Sequence, residues 1–134
     1  MAALSITAAN VLPGTGAINV QRTGGTTLTA GVPAYADSTD SFELKPAANT
    51  SATLAAVVGI ILQGVGDGQP VLVQIDGTID GVGATEGVVY VLGAAGEIVP
   101  VADLVATNFV TLIGVGNADG GIDLSIKATG SQVQ

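Results

Sequence analysis

Residues 71–76 read Val-Leu-Val-Gln-Ile-Asp, and residues 122–127 read Ile-Asp-Leu-Ser-Ile-Lys. In both segments an aliphatic residue recurs at every second position, which is the pattern of a β-strand that buries one face. We expect Val71, Val73 and Ile75 to be buried together, with Gln74 on the opposite face. These two strands predict an all-β fold.

The rest of the chain consists of short Val, Ile, Leu and Thr runs bounded by Gly, Asp, Asn and Pro, as closely spaced strands do. Helix signals are poor, because 20 glycines and many β-branched residues lower helix propensity. Three runs, residues 54–62, 88–92 and 110–115, are more continuously apolar. We expect these runs to form central strands that are covered on both faces.

An internal repeat is the most informative feature of the chain. Three pairs of landmarks keep nearly one spacing: Gly31 and Gly87 are 56 residues apart, Pro46 and Pro100 are 54 apart, and Gly59 and Gly114 are 55 apart. Tyr35 and Tyr90 are expected in matching places. The spacing predicts two similar β-hairpin units, about residues 28–77 and 84–128, that pack together as a small β-barrel or β-sandwich.

Residues 1–27 lie outside the repeat and read as an extended N-terminal arm before a β domain at residues 28–134. The arm carries intermittent apolar residues, Leu12, Ile18 and Val20, together with Arg22. Two interpretations stay open. The arm could add a strand to the sheet of a neighbouring subunit, since an unpaired strand edge accepts another chain, or it could form the first strand of the chain's own sheet.

Charge and hydropathy narrow the class of partner. The net charge is −8, from 11 acidic and only 3 basic residues, so neither phosphate binding nor an anionic membrane is favoured. The longest apolar run is far shorter than the roughly 20 residues of a membrane span, and the first residues do not read as a secretion signal. Charged residues make up only 10% of the chain, which favours burial of surface against other proteins.

Residues suited to catalysis or cofactor binding are scarce. Histidine and cysteine are absent, which removes the commonest general base, the usual zinc ligands and a thiol nucleophile. Two Asp-Gly segments, residues 76–80 and 119–123, could offer carboxylates to calcium, but Asp-Gly is also ordinary turn chemistry, which we favour. We therefore predict no enzyme, no metal site and no cofactor. Tyr35 and Tyr90 could serve a subunit interface or pack in a core.

The second half of the chain resembles a known family. Residues 85–100 (TEGVVYVLGAAGEIVP), residues 108–118 (NFVTLIGVGNA) and the closing strand at 122–128 are similar to tailed-phage capsid cement or decoration proteins, over about residues 28–128. The resemblance implies a β-rich homotrimer that is made in the bacterial host cytoplasm. It implies that the trimer sits on the exterior of an icosahedral head and bridges major capsid subunits.

On this hypothesis Leu12, Ile18, Val20 and Arg22 contact the capsid, and Tyr35 and Tyr90 lie at the trimer interface. No nucleic acid, membrane or small-molecule substrate is expected as a partner. Two alternatives remain. One is another virion component of β structure, associated with a fibre, tail or baseplate. The other is a bacterial surface or matrix module.

Overall fold

The computed structural model describes residues 3–133. In that range ten strands and two short 3-10 turns, Ala8–Asn10 and Val101–Asp103, are formed. The strands are β1 (Leu12–Pro13), β2 (Ile18–Thr23), β3 (Pro33–Asp37), β4 (Glu43–Pro46), β5 (Val57–Ile61), β6 (Pro70–Asp80), β7 (Val89–Leu92), β8 (Ile98–Pro100), β9 (Phe109–Gly116) and β10 (Ile122–Gln132). The predicted all-β class is confirmed.

The strands form one curled antiparallel sheet in the order β4-β3-β5-β6-β10-β9-β7-β8, which agrees with the predicted small barrel or sandwich. Strands β1 and β2 pair with the edge of β6 that faces away from β5 and β10. The end of β2 also meets the edge strand β4, where the N–H of Gly25 donates to the carbonyl of Leu44 at 2.8 Å. This contact closes the first half of the sheet on itself.

Strand β6 is shared by the two halves. Its first part pairs with β2 and β5, and its last part pairs with β1 and β10. Gly77 stands at the changeover with φ +84°, and a Cβ there would collide with the backbone of Gly16 and Ala17. Only glycine combines that φ with so close a backbone approach. The interpretation of Asp76-Gly77 as a tight turn is therefore wrong, because this pair forms a kink inside a continuous strand.

The two halves have the same strand pairing. Strand β3 pairs with β4 and β5, and β7 pairs in the same way with β8 and β9. Each also has a register shift, after Ala34 in β3 and after Tyr90 in β7. Ala34 lies opposite a proline and a glycine, as Tyr90 does, so Tyr35 is one position out of step with Tyr90. The expectation that the two tyrosines match is wrong; duplication of the unit stays a prediction.

Two hydrophobic cores lie on the two faces of the central strands. The barrel core, enclosed by the first half, consists of Leu28, Ala34, Leu44, Ile61, Val71 and Val73. The second core consists of Val11, Ala30, Tyr35, Ala47, Ala55, Val57, Ile60, Ile79, Val82, Tyr90, Leu92, Ile98, Ile113, Ile122 and Leu124. Strand β5 supplies side chains to both cores, so its prediction as a strand covered on both faces is confirmed. The same prediction is wrong at Val115 of β9, which is 40% exposed.

The alternation of β6 follows the prediction only in part. Val71 and Val73 are buried as expected, but Ile75 is 37% exposed, because β2 skips this residue in its pairing. Gln74 does lie on the opposite face, yet it is completely buried, since it pairs with Ile60 of the second core. The face of β6 that carries Gln74 is therefore covered by the second core at Gln74 and does not contact solvent there.

The N-terminal segment lies along the chain's own sheet. Leu12 and Pro13 pair with the end of β6, and residues 18–23 pair with its beginning. Between them the N–H of Gly14 donates to the carbonyl of Thr78 at 2.7 Å, and the N–H of Thr78 donates to the carbonyl of Thr15 at 3.0 Å. Of the two interpretations, the structure shows the one in which this segment forms strands of its own sheet.

Candidate interaction surface

Two of the predicted capsid-contact residues present apolar side chains to solvent. Leu12 is 60% exposed and lies opposite Asp80, and Ile18 is 49% exposed and lies opposite Asp76. Both residues therefore sit along one edge of β6, each directly across from a carboxylate. An exposed aliphatic side chain with an acidic neighbour suits a partner surface that is apolar with basic groups around it.

The other two predicted contact residues are less available. Val20 lies opposite Val73 and packs against the barrel core, so its apolar surface is already used within the chain. Arg22 lies opposite Val71 and is half-buried. The assignment of Val20 and Arg22 to a capsid contact stays a prediction that their packing does not favour.

Tyr35 and Tyr90 both belong to the second core, and they are 9% and 1% exposed. The hydroxyl oxygen of Tyr90 accepts the backbone N–H of Thr85 at 2.8 Å, which satisfies the polar end of a buried ring. The burial agrees with core packing, and side chains so buried have little surface left for another subunit. Their role at a trimer interface stays a prediction.

The second Asp-Gly segment, residues 119–123, lies in a turn that side-chain hydrogen bonds stabilise. In the β9–β10 turn, the side-chain oxygen of Asn117 accepts the N–H groups of Asp119 and Gly121, each at 3.0 Å. The carboxylate of Asp123 accepts the hydroxyl of Thr78 at 2.9 Å. The second Asp-Gly segment therefore forms the predicted turn. Within residues 3–133, no group of three or more metal-ligating side chains is brought together.

Exposed apolar side chains are spread over several parts of the surface. Among residues 3–133, the exposed large hydrophobic residues are Leu12, Ile18, Phe42, Leu72, Ile75, Val89, Val101, Val105 and Val115. Val89 and Val115 lie directly opposite each other on β7 and β9, so their side chains share one face. Ile18 and Ile75 lie beside the register shift in β6. Apolar area on such rigid strands is available to a protein partner.

A shallow open depression of about 270 Å³ lies on the first half of the sheet, lined by Gln21, Gln63, Pro70, Val71 and Leu72. Its volume falls just below the roughly 300–1,000 Å³ of sites that enclose a small molecule. The depression is therefore too small and open to enclose a small molecule, but a side chain of a partner protein could contact Leu72 there.

The β3–β4 tip, residues 37–43, is the most unusual surface element. Its Phe42 is 62% exposed, and both Ser41 and Phe42 have positive φ, at 56° and 60°. Consecutive non-glycine residues in this region are rare, because the Cβ atom clashes with the backbone. The carbonyl of Asp37 accepts the N–H of Asp40 at 3.0 Å and the N–H of Phe42 at 2.8 Å, and these bonds define the turn.

The side chain of Asp37 fixes the base of the tip. Its carboxylate accepts the ammonium of Lys45 at 2.8 Å and the hydroxyl and N–H of Thr39 at 2.7 and 3.0 Å, and Lys45 also reaches Asp40 at 3.3 Å. The Lys45 bond, followed by the Thr39 bonds, lowers the pKa of Asp37 to about 2. The bond to Asp37, followed by the bond to Asp40, raises the pKa of Lys45. Ion pairs as well as backbone hydrogen bonds therefore stabilise the tip.

Comparison with known proteins gives no relative. No protein-family model matches the chain, and a search of curated proteins finds no significant match. Among the described residues, 3–133, none of the helical segments is long and apolar enough to span a membrane.

The sequence pattern alone does not identify Phe42 as a surface residue. One signal was present: Phe42 follows the polar run Asp37-Ser-Thr-Asp-Ser41, and Asp and Ser are typical turn residues. The positive φ values of Ser41 and Phe42 have no sequence signature, because neither residue is a glycine.

Proposed function

We propose that this protein is a structural virion subunit that binds the outside of an icosahedral phage capsid and stabilises it by bridging major capsid subunits. The observation that carries the proposal is the combination of large exposed apolar side chains on the strands, such as Leu12 and Ile18, with a chain of only 10% charged residues. Such a surface suits burial against protein. The sequence resemblance at residues 85–128 supplies the identity of the object that is bound.

The mechanism we propose is stabilisation by mass action. A ligand that binds the assembled shell but not its separated subunits shifts the equilibrium towards the shell, by about 2.7 kcal/mol per site at a concentration 100 times its Kd. A homotrimer would present three copies of each contact and raise their effective concentration on the lattice, so modest single contacts would still give firm attachment.

The partners in this proposal are the major capsid protein and two further copies of this chain. Nucleic acid and anionic membranes are not proposed as partners, since three scattered basic residues in a chain of net charge −8 supply no phosphate-binding surface. A small-molecule substrate is not proposed either. The place of action would be the exterior of the virion, after synthesis in the host cytoplasm.

Two measurements test the proposal. Light scattering of the purified chain gives its mass in solution, and co-sedimentation with phage heads stripped of minor proteins gives binding. We expect a trimer that pellets with the heads and raises the temperature at which they break open. A monomer that stays in the supernatant would contradict the proposal and favour the surface-module alternative.

A further inference from the structure

Phe42 is the only aromatic residue among residues 3–133 that faces solvent. Tyr35 and Tyr90 are buried, and Phe109 is half-buried against the second core, whereas Phe42 is 62% exposed. An exposed ring costs free energy in water, and aromatic residues dominate the few positions that carry most of the affinity of a protein interface. Phe42 is therefore the strongest single candidate for an anchor residue.

The backbone that presents Phe42 is strained. A non-glycine residue in the left-handed region is disfavoured because its Cβ atom clashes with the backbone, and Ser41 and Phe42 are both in that region. Glycine would adopt the same φ without this cost, yet the chain, which holds 20 glycines, has none in the tip. Strained residues persist where the surrounding structure determines them, and they concentrate at binding and catalytic sites.

The tip is also held in place before any partner arrives. The carbonyl of Asp37 accepts two backbone N–H groups of the turn, and its carboxylate is bonded to Thr39 and Lys45. A backbone segment that already holds its bound conformation loses little conformational entropy on association. The ring of Phe42 is thus presented as a pre-positioned anchor.

The charge around the ring indicates the kind of surface it fits. Three carboxylates, Asp37, Asp40 and Glu43, surround the tip, and the single cation, Lys45, is already bonded to two of them. The segment 37–45 carries a net charge of −2. A partner that receives Phe42 is expected to have an apolar pocket with Lys or Arg at its rim, which excludes an anionic lipid surface.

We propose that the β3–β4 tip is a preformed docking element whose Phe42 ring enters an apolar, basic-rimmed pocket on a partner protein. The inference rests on the proposed function, in which that pocket belongs to the assembled capsid. Removal of the ring is expected to weaken binding at least about 30-fold, which corresponds to about 2 kcal/mol at 1.4 kcal/mol per tenfold change.

The test uses the full chain and stripped phage heads, with binding measured by quantitative co-sedimentation. The variant is Phe42→Gly, which removes the ring and relieves the positive φ at once, and Phe42→Ser provides a second variant that keeps a Cβ atom. The matched control is Val105→Ser, since Val105 is 64% exposed, apolar and outside the tip. The urea midpoint of each variant is measured alongside.

We expect Phe42→Gly to unfold at the same urea concentration as the natural chain or a higher one, and to lose binding, while Val105→Ser keeps it. Full binding by both Phe42 variants would overturn the docking element and leave the capsid function standing. A natural chain that ignores the heads would overturn both. A lowered urea midpoint for Phe42→Gly would also overturn the inference, because Phe42 would then stabilise the fold itself.

Discussion

Replacement of Gly77 by alanine is expected to destabilise the fold by about 3–4 kcal/mol. Gly77 has φ +84°, where an alanine costs about 1–2 kcal/mol. The new Cβ would also collide with the backbone of Gly16, so the N-terminal segment would have to move away from β6. That movement breaks the two backbone bonds of Thr78 to Gly14 and Thr15, which contribute about 1 kcal/mol each.

Gly83→Ala is the matched control. Gly83 has a similar φ of +73°, but a Cβ there meets no atom within 4 Å, so only the conformational cost of about 1–2 kcal/mol applies. Urea unfolding curves of the two variants, compared at equal slope, separate the steric part from the conformational part. Equal destabilisation by the two substitutions would refute the argument that the close approach to Gly16 requires glycine.

Limited proteolysis gives a second measurement on the same pair of variants. Arg22 lies at the end of the N-terminal segment and is the only basic residue before Lys45. Trypsin cleaves after basic residues, so cleavage after Arg22 indicates that this segment has detached from β6. We expect Gly77→Ala to be cut at Arg22 faster than Gly83→Ala. Equal cutting rates would mean that the segment stays docked.

Three further outcomes are expected. Thr111→Val removes the bond from a buried hydroxyl to the carbonyl of Ala55 and should cost about 1–2 kcal/mol in urea unfolding. Asp37→Asn should flatten the acid dependence of the urea midpoint: the folded pKa of Asp37 is lowered from 3.8 to about 2, so its contribution is complete above pH 5 and is lost as pH falls towards 2. Leu12→Ser should weaken head binding about 10-fold without lowering the urea midpoint, since Leu12 is 60% exposed.

Each of these outcomes has a control in the same chain. Thr129→Val removes two exposed hydrogen bonds, from the hydroxyl to the carbonyl of Val110 and from the N–H of Ser131 to the hydroxyl, and should still cost less than half as much as Thr111→Val. Asp67→Asn alters a carboxylate in an exposed turn outside the β3–β4 tip and is the control for Asp37→Asn. Val105→Ser should keep head binding. A control that behaves like its partner variant would contradict the corresponding argument.

The fold class could be predicted from the sequence because strand periodicity is local. Val71 and Val73 follow the expected alternation, and the apolar run that contains β5 is covered on both faces as expected. The details that failed depend on contacts between distant residues. Ile75 is exposed because β2 skips it, and Gln74 is buried because it lies beside Ile60 of the second core.

The candidate surface could be predicted only at its apolar residues. Leu12 and Ile18 are exposed as a contact residue must be, whereas Val20 points into the barrel core, and no feature of residues 12–22 alone distinguishes the two cases. The exposure of Phe42 depends on a turn in which Ser41 and Phe42 adopt positive φ and Lys45 bonds to Asp37, and the residue pattern predicts neither feature. The periodicity of apolar residues predicts strands but does not predict the φ angles of such a turn.

The shared strand β6 also sets an order of events during synthesis. Every strand that pairs with the first part of β6 lies in residues 18–76, so the first half can close before the second half has been made. The last residues of β6 cannot pair with β10 until β10 has been synthesised, because Thr78 and its partner Asp123 are 45 residues apart in the sequence. Distant pairing of this kind folds slowly, and an unpaired edge associates readily with other chains. Misassembly of newly made chains would therefore begin at residues 77–80.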